Sequence, residues 1–166
     1  QGGGRSAGNL LSTQLCMCQP ACQTADQFRL HQEVVPFFQS PAMKIAVADD
    51  EPEMREFLAR ACRSYGHEVV LIAENGAELS AGCLLFHPDL VITDIRMPLV
   101  DGLTALSQVR DEYPVRSIII TAHDSPHLQQ QAIELGSLAV LIKPVGMAQL
   151  RPLLQSAAPS VQQQAE

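Results

Sequence analysis

The sequence contains no tryptophan, few other aromatic residues and only a minority of basic residues. Aromatic residues make up 4% of the chain, and 11 Lys and Arg face 18 Asp and Glu, which gives a net charge of −7. Proteins that coat nucleic acid neutralise phosphates with Lys and Arg, so this deficit argues against direct nucleic-acid binding. No apolar run approaches the ~20 residues that a membrane helix needs, and the N-terminus lacks the pattern of a secretory signal. We therefore expect a soluble, cytoplasmic protein.

The cysteines argue against a structural zinc site. Cys16, Cys18 and Cys22 lie close together. A structural zinc site normally combines two spaced ligand pairs, and no second pair follows here. The two remaining cysteines, Cys62 and Cys83, lie in predicted helices, where we expect them to be small buried hydrophobic residues.

The chain is predicted to contain one domain between two polar segments. Residues 1–42 are rich in Gln, Ser, Gly and Ala without a sustained hydrophobic period, so we expect a poorly ordered leader that the fold does not need. Residues 43–157 form the predicted domain, and residues 158–166 a polar tail. The leader carries two acidic and two basic residues. The whole negative excess therefore lies in residues 43–166.

Five short apolar runs alternate with five segments of helical periodicity. This alternation with short connections is typical of an α/β protein with a doubly wound parallel sheet. In the second helix we expect Leu79, Cys83 and Phe86 to face inward, and in the last helix we expect Pro152 to cause a kink or fraying. The predicted strands are Lys44–Ala48, Val69–Ala73, Leu90–Thr93, Ser117–Ala122 and Leu138–Ile142.

Polar residues follow four of these strands, and the carboxyl ends of parallel strands meet at one edge of a sheet. Asp49 and Asp50 follow the first strand, Asp94 the third, and Thr121 and Lys143 end the fourth and fifth. Each has a plain explanation by itself, such as an acid at a helix start, a turn cap or a solvated lysine. Their coincidence at one edge predicts a functional site.

The charges of this cluster indicate what it binds. Two carboxylates about 4 Å apart repel by ~4 kcal/mol at an effective dielectric of 20, and Lys143 alone does not balance three of them. Oxygen ligands without Cys or His suit Mg²⁺, which orients phosphoryl donors and neutralises their oxygens. Asp94 is then placed to act as a nucleophile and become an aspartyl phosphate.

Five motifs together resemble the receiver domain of bacterial two-component response regulators, of the single-domain, chemotaxis-regulator-like kind. The resemblance runs from about Met43 to Ala157 and implies a flavodoxin-like sheet of order 2-1-3-4-5 with helices on both faces. The motifs are Asp49-Asp50, Asp94 with Met97-Pro98, Asp101-Gly102, Thr121-Ala122 and Lys143-Pro144.

The resemblance also implies a magnesium site. Asp50 is expected to bind Mg²⁺ directly, and Asp49 directly or through water. Asp94 and the backbone carbonyl of Arg96 complete the expected protein ligands.

The resemblance further implies which proteins deliver the phosphoryl group and which residues contact it. Asp94 is expected to accept it from a histidine kinase or phosphotransfer protein, Thr121 to bond a phosphoryl oxygen, and Lys143 to pair with the group. The chain ends after the fifth helix, so we expect a monomer or phosphorylation-dependent dimer that signals to an unknown downstream protein through protein contacts. It is not expected to be an enzyme beyond self-catalysed phosphorylation and dephosphorylation.

Two departures from the family pattern leave alternatives open, namely the residue at position 140 and the expected absence of the output domain that the family usually attaches after the fifth helix. The family usually has Tyr or Phe three residues before the lysine, where this chain has Val140, so a pseudo-receiver that is not phosphorylated is one alternative. A phosphatase of the haloacid dehalogenase type is another, but it requires a second Asp two residues after the nucleophile, where Arg96 stands. The resemblance implies that Arg96 and His123, two residues beyond Asp94 and Thr121, influence the lifetime of the phosphorylated state.

Overall fold

Strands and helices alternate without exception in the computed structural model, which describes residues 41–123 and 125–158. The predicted leader and polar tail lie outside the described residues, except for residues 41, 42 and 158. No helix in the described ranges is long and apolar enough to cross a membrane. The strands are β1 Lys44–Ala48, β2 Glu68–Ala73, β3 Leu90–Asp94, β4 Arg116–Thr121 and β5 Ala139–Ile142. The helices are α1 Pro52–Ser64, α2 Gly76–Phe86, α3 Gly102–Glu112, α4 Pro126–Glu134 and α5 Met147–Ala157.

The five strands form one parallel sheet in the order β2-β1-β3-β4-β5. This confirms the flavodoxin-like arrangement. The chain runs from β1 to β2 on one side and then crosses to β3 on the other, so β1 and β3 are neighbours where the winding reverses. Ligands of such sheets bind outside the carboxyl ends of the strands at this reversal. The residues that follow β1 and end β3 therefore lie at the expected place for a site.

Side chains of the central strands alternate between two apolar layers. Ala46 and Val91 face α2, α3 and α4, while Val47 and Ile92 face α1 and α5. All four are completely buried. A large aliphatic side chain buried in this way stabilises the fold by about 1.5–3 kcal/mol. The two layers hold β1 and β3 rigidly, and with them the residues at their carboxyl ends.

The orientation predicted for Phe86 is wrong, while Leu79 and Cys83 face the core as expected. The side chain of Phe86 is 43% exposed, whereas those of Leu79 and Cys83 are fully buried. Phe86 is the last residue of α2, and Tyr113 packs against the core at that end and donates a hydrogen bond from its hydroxyl to the carbonyl of Cys83. The core is therefore closed there without the ring of Phe86.

The last helix does not fray at Pro152, and the kink expected there stays a prediction. Helix α5 continues to Ala157, and Leu150, Leu154 and Ala157 are buried against the sheet. This apolar face holds the helix in place although Pro152 lacks the N–H of one helical hydrogen bond.

The prediction for Cys62 and Cys83 is confirmed. Both thiols are free and fully buried. Burial raises the pKa of each thiol to about 12, so both stay protonated and unreactive at neutral pH.

Candidate functional site

Three carboxylates predicted to form the site do lie together. Asp49 follows β1, Asp50 is next in sequence, and Asp94 ends β3, the strand beside β1. Oxygen atoms from the three carboxylates lie within 4.8 Å of one another. Asp49 is completely buried and Asp94 is 4% exposed, while Asp50 is exposed to solvent. The cluster is therefore open on one side, as a binding site must be.

The carboxylate of Asp94 is fixed by the backbone that follows it. Its Oδ1 accepts a hydrogen bond from the N–H of Ile95 at 2.6 Å and a longer one from that of Arg96 at 3.4 Å. The hydroxyl of Thr93 donates to the carbonyl of Asp94 at 2.9 Å, and the N–H of Gly102 donates to the carbonyl of Ile95 at 2.9 Å. The loop after β3 thus closes on itself and leaves Oδ2 of Asp94 facing the cluster.

Lys143 crosses from the end of β5 to reach these acids. Its Nζ lies 2.9 Å from Asp94 Oδ2, 3.0 Å from Asp49 Oδ2 and 3.0 Å from Glu51 Oε1. Burial disfavours the charge of the ammonium, but its hydrogen bonds to Asp94, Asp49 and Glu51 outweigh this and raise its pKa above the ordinary value. Lys143 is therefore a permanent cation at the centre of the site.

Burial raises the pKa of Asp49 above its ordinary value, although the Glu51 N–H and Lys143 favour the charged form. Its Oδ2 lies at ion-pair distance from Lys143 but has no hydrogen bond in good alignment within the described ranges. A buried carboxylate oxygen in this state is a suitable ligand for a cation. The candidate ligand atoms are all oxygen. The negative charge of the carboxylates exceeds the single positive charge of Lys143, so the residues fit a hard divalent ion such as Mg²⁺.

Two residues of the site, Glu51 and Arg55, are not predicted by the sequence pattern. Glu51 binds Lys143 as described, and Nη1 of Arg55 donates to the backbone carbonyls of Asp49 at 2.7 Å and Asp50 at 3.0 Å. The same guanidinium lies 3.7 Å from Glu74. The sequence signal for both is position alone, since Glu51 adjoins the acid pair and Arg55 lies in the first turns of the next helix. Neither position by itself indicates such contacts.

Thr121 lies at the end of β4 as predicted, but its hydroxyl is bound to its own loop. It donates to the carbonyl of His123 at 3.1 Å and accepts from the N–H of the same residue at 3.1 Å. Thr121 is buried, and within the described ranges it makes no hydrogen bond to the carboxylate cluster. The side chains of Arg96 and His123 are exposed, and neither forms a hydrogen bond or ion pair in those ranges. Their influence on a phosphorylated state stays a prediction.

Val140 occupies the position where the sequence departs from the expected aromatic residue. It lies in β5, pairs with Ile119 of β4 and is partly buried against the α4 side of the sheet. Together with Ala132 and Ile133 of α4 it lines an open groove between α4 and β5. The structure therefore has a small aliphatic side chain beside this groove, with no ring that could rotate.

Comparisons with known proteins agree on one family. The family model described as "Response regulator receiver domain" matches residues 45–155. The transcriptional regulatory protein PdtaR of Mycobacterium tuberculosis is 33% identical over 114 residues, which cover 69% of this chain and 56% of PdtaR. A protein-glutamate methylesterase/protein-glutamine glutaminase of Pseudomonas fluorescens is 37% identical over 105 residues, 61% of this chain but 31% of that protein. The chain thus spans about half, or less, of the length of these relatives.

A solved structure gives the same result. The signal receiver domain of the putative response regulator NarL of Mycobacterium tuberculosis superimposes with a TM-score of 0.64 at 33% identity. The similarity covers 70% of this chain and 96% of that domain.

Proposed function

The chain belongs to the response regulator receiver domain family, and on that premise we propose that it is a signalling switch phosphorylated on Asp94. The observation that carries the proposal is the contact of Asp94 Oδ2 with Lys143 at 2.9 Å, at the end of β3 and beside two further acids. Such a carboxylate is held in one orientation, is partly accessible and faces a cation able to balance incoming phosphoryl oxygens.

The chemistry follows from these contacts. A carboxylate oxygen of Asp94 forms a bond to the phosphorus of a phosphohistidine in a kinase or phosphotransfer protein. The P–N bond breaks, its electron pair passes to the imidazole nitrogen, and that nitrogen takes up a proton. Lys143 pairs with the new phosphoryl oxygens, and the hydroxyl of Thr121 leaves its contact with His123 to bond one of them. The protein accepts one group and does not turn over a substrate as an enzyme does.

Magnesium is part of the proposal. Asp49, Asp50 and Asp94 would hold it, with the backbone carbonyl of Arg96 as a further ligand. When bound, Mg²⁺ supplies positive charge that neutralises phosphoryl oxygens. Without it, the carboxylates at this edge outnumber Lys143 and repel an anionic donor.

The proposed output is a change in protein contacts, in the cytoplasm and without direct binding to nucleic acid. The family premise supports a kinase or phosphotransfer protein as the upstream partner. The downstream protein is unknown, and the chain is proposed to act as a monomer or a phosphorylation-dependent dimer. Val140 favours a second candidate, a receiver that serves as an interaction module without phosphorylation, because the usual rotating ring is absent.

Intact-mass measurement after incubation with acetyl phosphate separates these candidates. We expect the wild-type chain to gain one phosphoryl group with Mg²⁺ and none with a chelator. Asp94→Asn should remain unmodified, whereas Asp111→Asn, an exposed acid of α3, should behave as wild type. No adduct on the wild type would favour the interaction module, and an equal adduct on Asp94→Asn would disprove the assignment. Rapid release of phosphate over many turnovers, with no phosphoryl adduct accumulating on the wild type, would indicate a phosphatase.

A further inference from the structure

Glu51 occupies the N-cap of α1 but does not cap the helix with its side chain. Its backbone is extended there, and no side-chain cap hydrogen bond forms. The carboxylate instead reaches Lys143, with Oε1 3.0 Å from Nζ, and the Glu51 side chain is 62% exposed. Among the described residues Lys143 is the one partner of this carboxylate. The side chain of Glu51 therefore serves the site and contributes little to the fold.

Glu51 uses the last free donor of Lys143. An ammonium group has three N–H donors, and three carboxylates surround it, those of Asp94, Asp49 and Glu51. A phosphoryl group on Asp94 brings further anionic oxygens that require a donor from the same lysine. At least one of the three carboxylates must then give up its hydrogen bond from Lys143.

Burial decides which carboxylate leaves. Asp49 is completely buried, so separating it from Lys143 leaves an uncompensated charge away from water, which is costly. Asp94 carries the phosphoryl group itself, so the N–H that it occupied passes to one phosphoryl oxygen, and a second phosphoryl oxygen must take the N–H of Asp49 or Glu51. Glu51 is mostly exposed and can return to solvent at little cost. It is also outside the group of carboxylates placed to hold a metal ion, which comprises Asp49, Asp50 and Asp94.

We propose that Glu51 is a built-in competitor of the phosphoryl group for Lys143, and that this competition sets how tightly the site binds phosphoryl anions. The inference rests on the proposed function, since it assigns to Lys143 the task of binding those anions. Glu51 acts through Lys143 and is a positioning residue. Its negative charge near the opening also has a general repulsive effect, which the test must separate from direct competition.

The test compares binding of beryllofluoride, an anionic phosphoryl analogue, at saturating Mg²⁺ by fluorine NMR. Exposed ion pairs of this kind contribute little, so we expect Glu51→Gln to bind it roughly 1.5- to 5-fold more tightly than wild type. Glu53→Gln is the matched control, because Glu53 lies two residues beyond Glu51 in the first turn of α1, is exposed and forms no hydrogen bond or ion pair in the described ranges. It should change affinity clearly less.

Glu51→Asp is the second variant. It keeps the charge but shortens the side chain, so direct competition predicts affinity close to that of Glu51→Gln, while long-range repulsion predicts affinity close to wild type. With acetyl phosphate, Glu51→Gln should lower the half-saturating donor concentration more than it changes the maximal rate of phosphorylation. Thermal melting of each variant without ligand checks that the fold is unchanged.

Three outcomes would overturn the inference. These are equal affinities for wild type and Glu51→Gln, equal effects of Glu51→Gln and Glu53→Gln, or wild-type affinity in Glu51→Asp. Calorimetry with Mg²⁺ alone provides one more, because loss of Mg²⁺ affinity together with weaker beryllofluoride binding in Glu51→Gln would show that Glu51 serves the metal. If instead the wild type is neither phosphorylated nor able to bind beryllofluoride, the proposed function fails, and the inference fails with it.

Discussion

A methyl group at position 102 should damage both the fold and the acceptor site. An ideal Cβ at Gly102 would lie 1.9 Å from the carbonyl oxygen of Asp94 and 2.8 Å from Oγ1 of Thr93. Ordinary contact begins near 3.4 Å, so the backbone after β3 must move by about 1.5 Å. The backbone on both sides of this contact is held in place. Strand β3 is buried on both faces, and the N–H of Gly102 donates a hydrogen bond to the carbonyl of Ile95.

We expect Gly102→Ala to lower the free energy of unfolding by about 1–3 kcal/mol, as for other overpacked interiors. For a domain of this size the melting temperature should fall by roughly 4–15 °C. A displacement of about 1 Å at a reacting group can reduce its rate on the order of 100-fold, so phosphorylation of Asp94 by acetyl phosphate should slow markedly even where the protein is folded.

Calorimetric melting and the time course of intact-mass change measure the two effects separately. Gly146→Ala is the control, because a Cβ at Gly146 meets no atom within 4 Å. It should melt within a few degrees of wild type and be phosphorylated normally. If Gly102→Ala melts and reacts as Gly146→Ala does, the close approach at the end of β3 is not a constraint on the site and the reasoning is wrong.

Two further predictions concern the loop after β1 and the edge of the sheet. Arg55→Met should weaken Mg²⁺ binding measured by calorimetry, because the carbonyls of Asp49 and Asp50 lose their shared donor; an affinity equal to or above wild type would show that Arg55 acts only as a repelling charge. Burial lowers the pKa of His67 below its ordinary 6.5, and its Nδ1 accepts the N–H of Met43 at 3.4 Å. The unfolded chain therefore protonates His67 at a higher pH than the folded chain does. The contribution of His67 to the free energy of unfolding is complete above pH ~6.5 and is lost as the pH falls through the lowered pKa. Urea unfolding should show that the free energy of unfolding falls less between pH 7.5 and pH 5.5 for His67→Gln than for wild type. An equal fall in the two proteins would contradict this prediction.

The sequence by itself determined the elements of the fold and the position of the acidic cluster. Strand-forming runs such as Leu90–Thr93 and the segments of helical periodicity between them are local signals, because backbone preference and hydrophobic period act over a few neighbouring residues. The rule that parallel strands share one carboxyl edge then places Asp49 and Asp94 at the same edge of the sheet without knowledge of the packing. The strand order itself came from the resemblance of the motifs to a family, since alternation alone does not state which strands are neighbours.

Tertiary structure decided where the long and terminal side chains lie. Glu51 and Lys143 are 92 residues apart in sequence, and their contact depends on β1 and β5 being held in one sheet. The guanidinium of Arg55 binds backbone carbonyls, which have no signature in the side-chain sequence. The hydrophobic period of α2 predicts that Phe86 faces inward. Its side chain is nevertheless exposed, because Tyr113 closes the core at the end of α2. Such outcomes depend on which distant groups pack against a side chain, and the energies of local preference are too small to decide them.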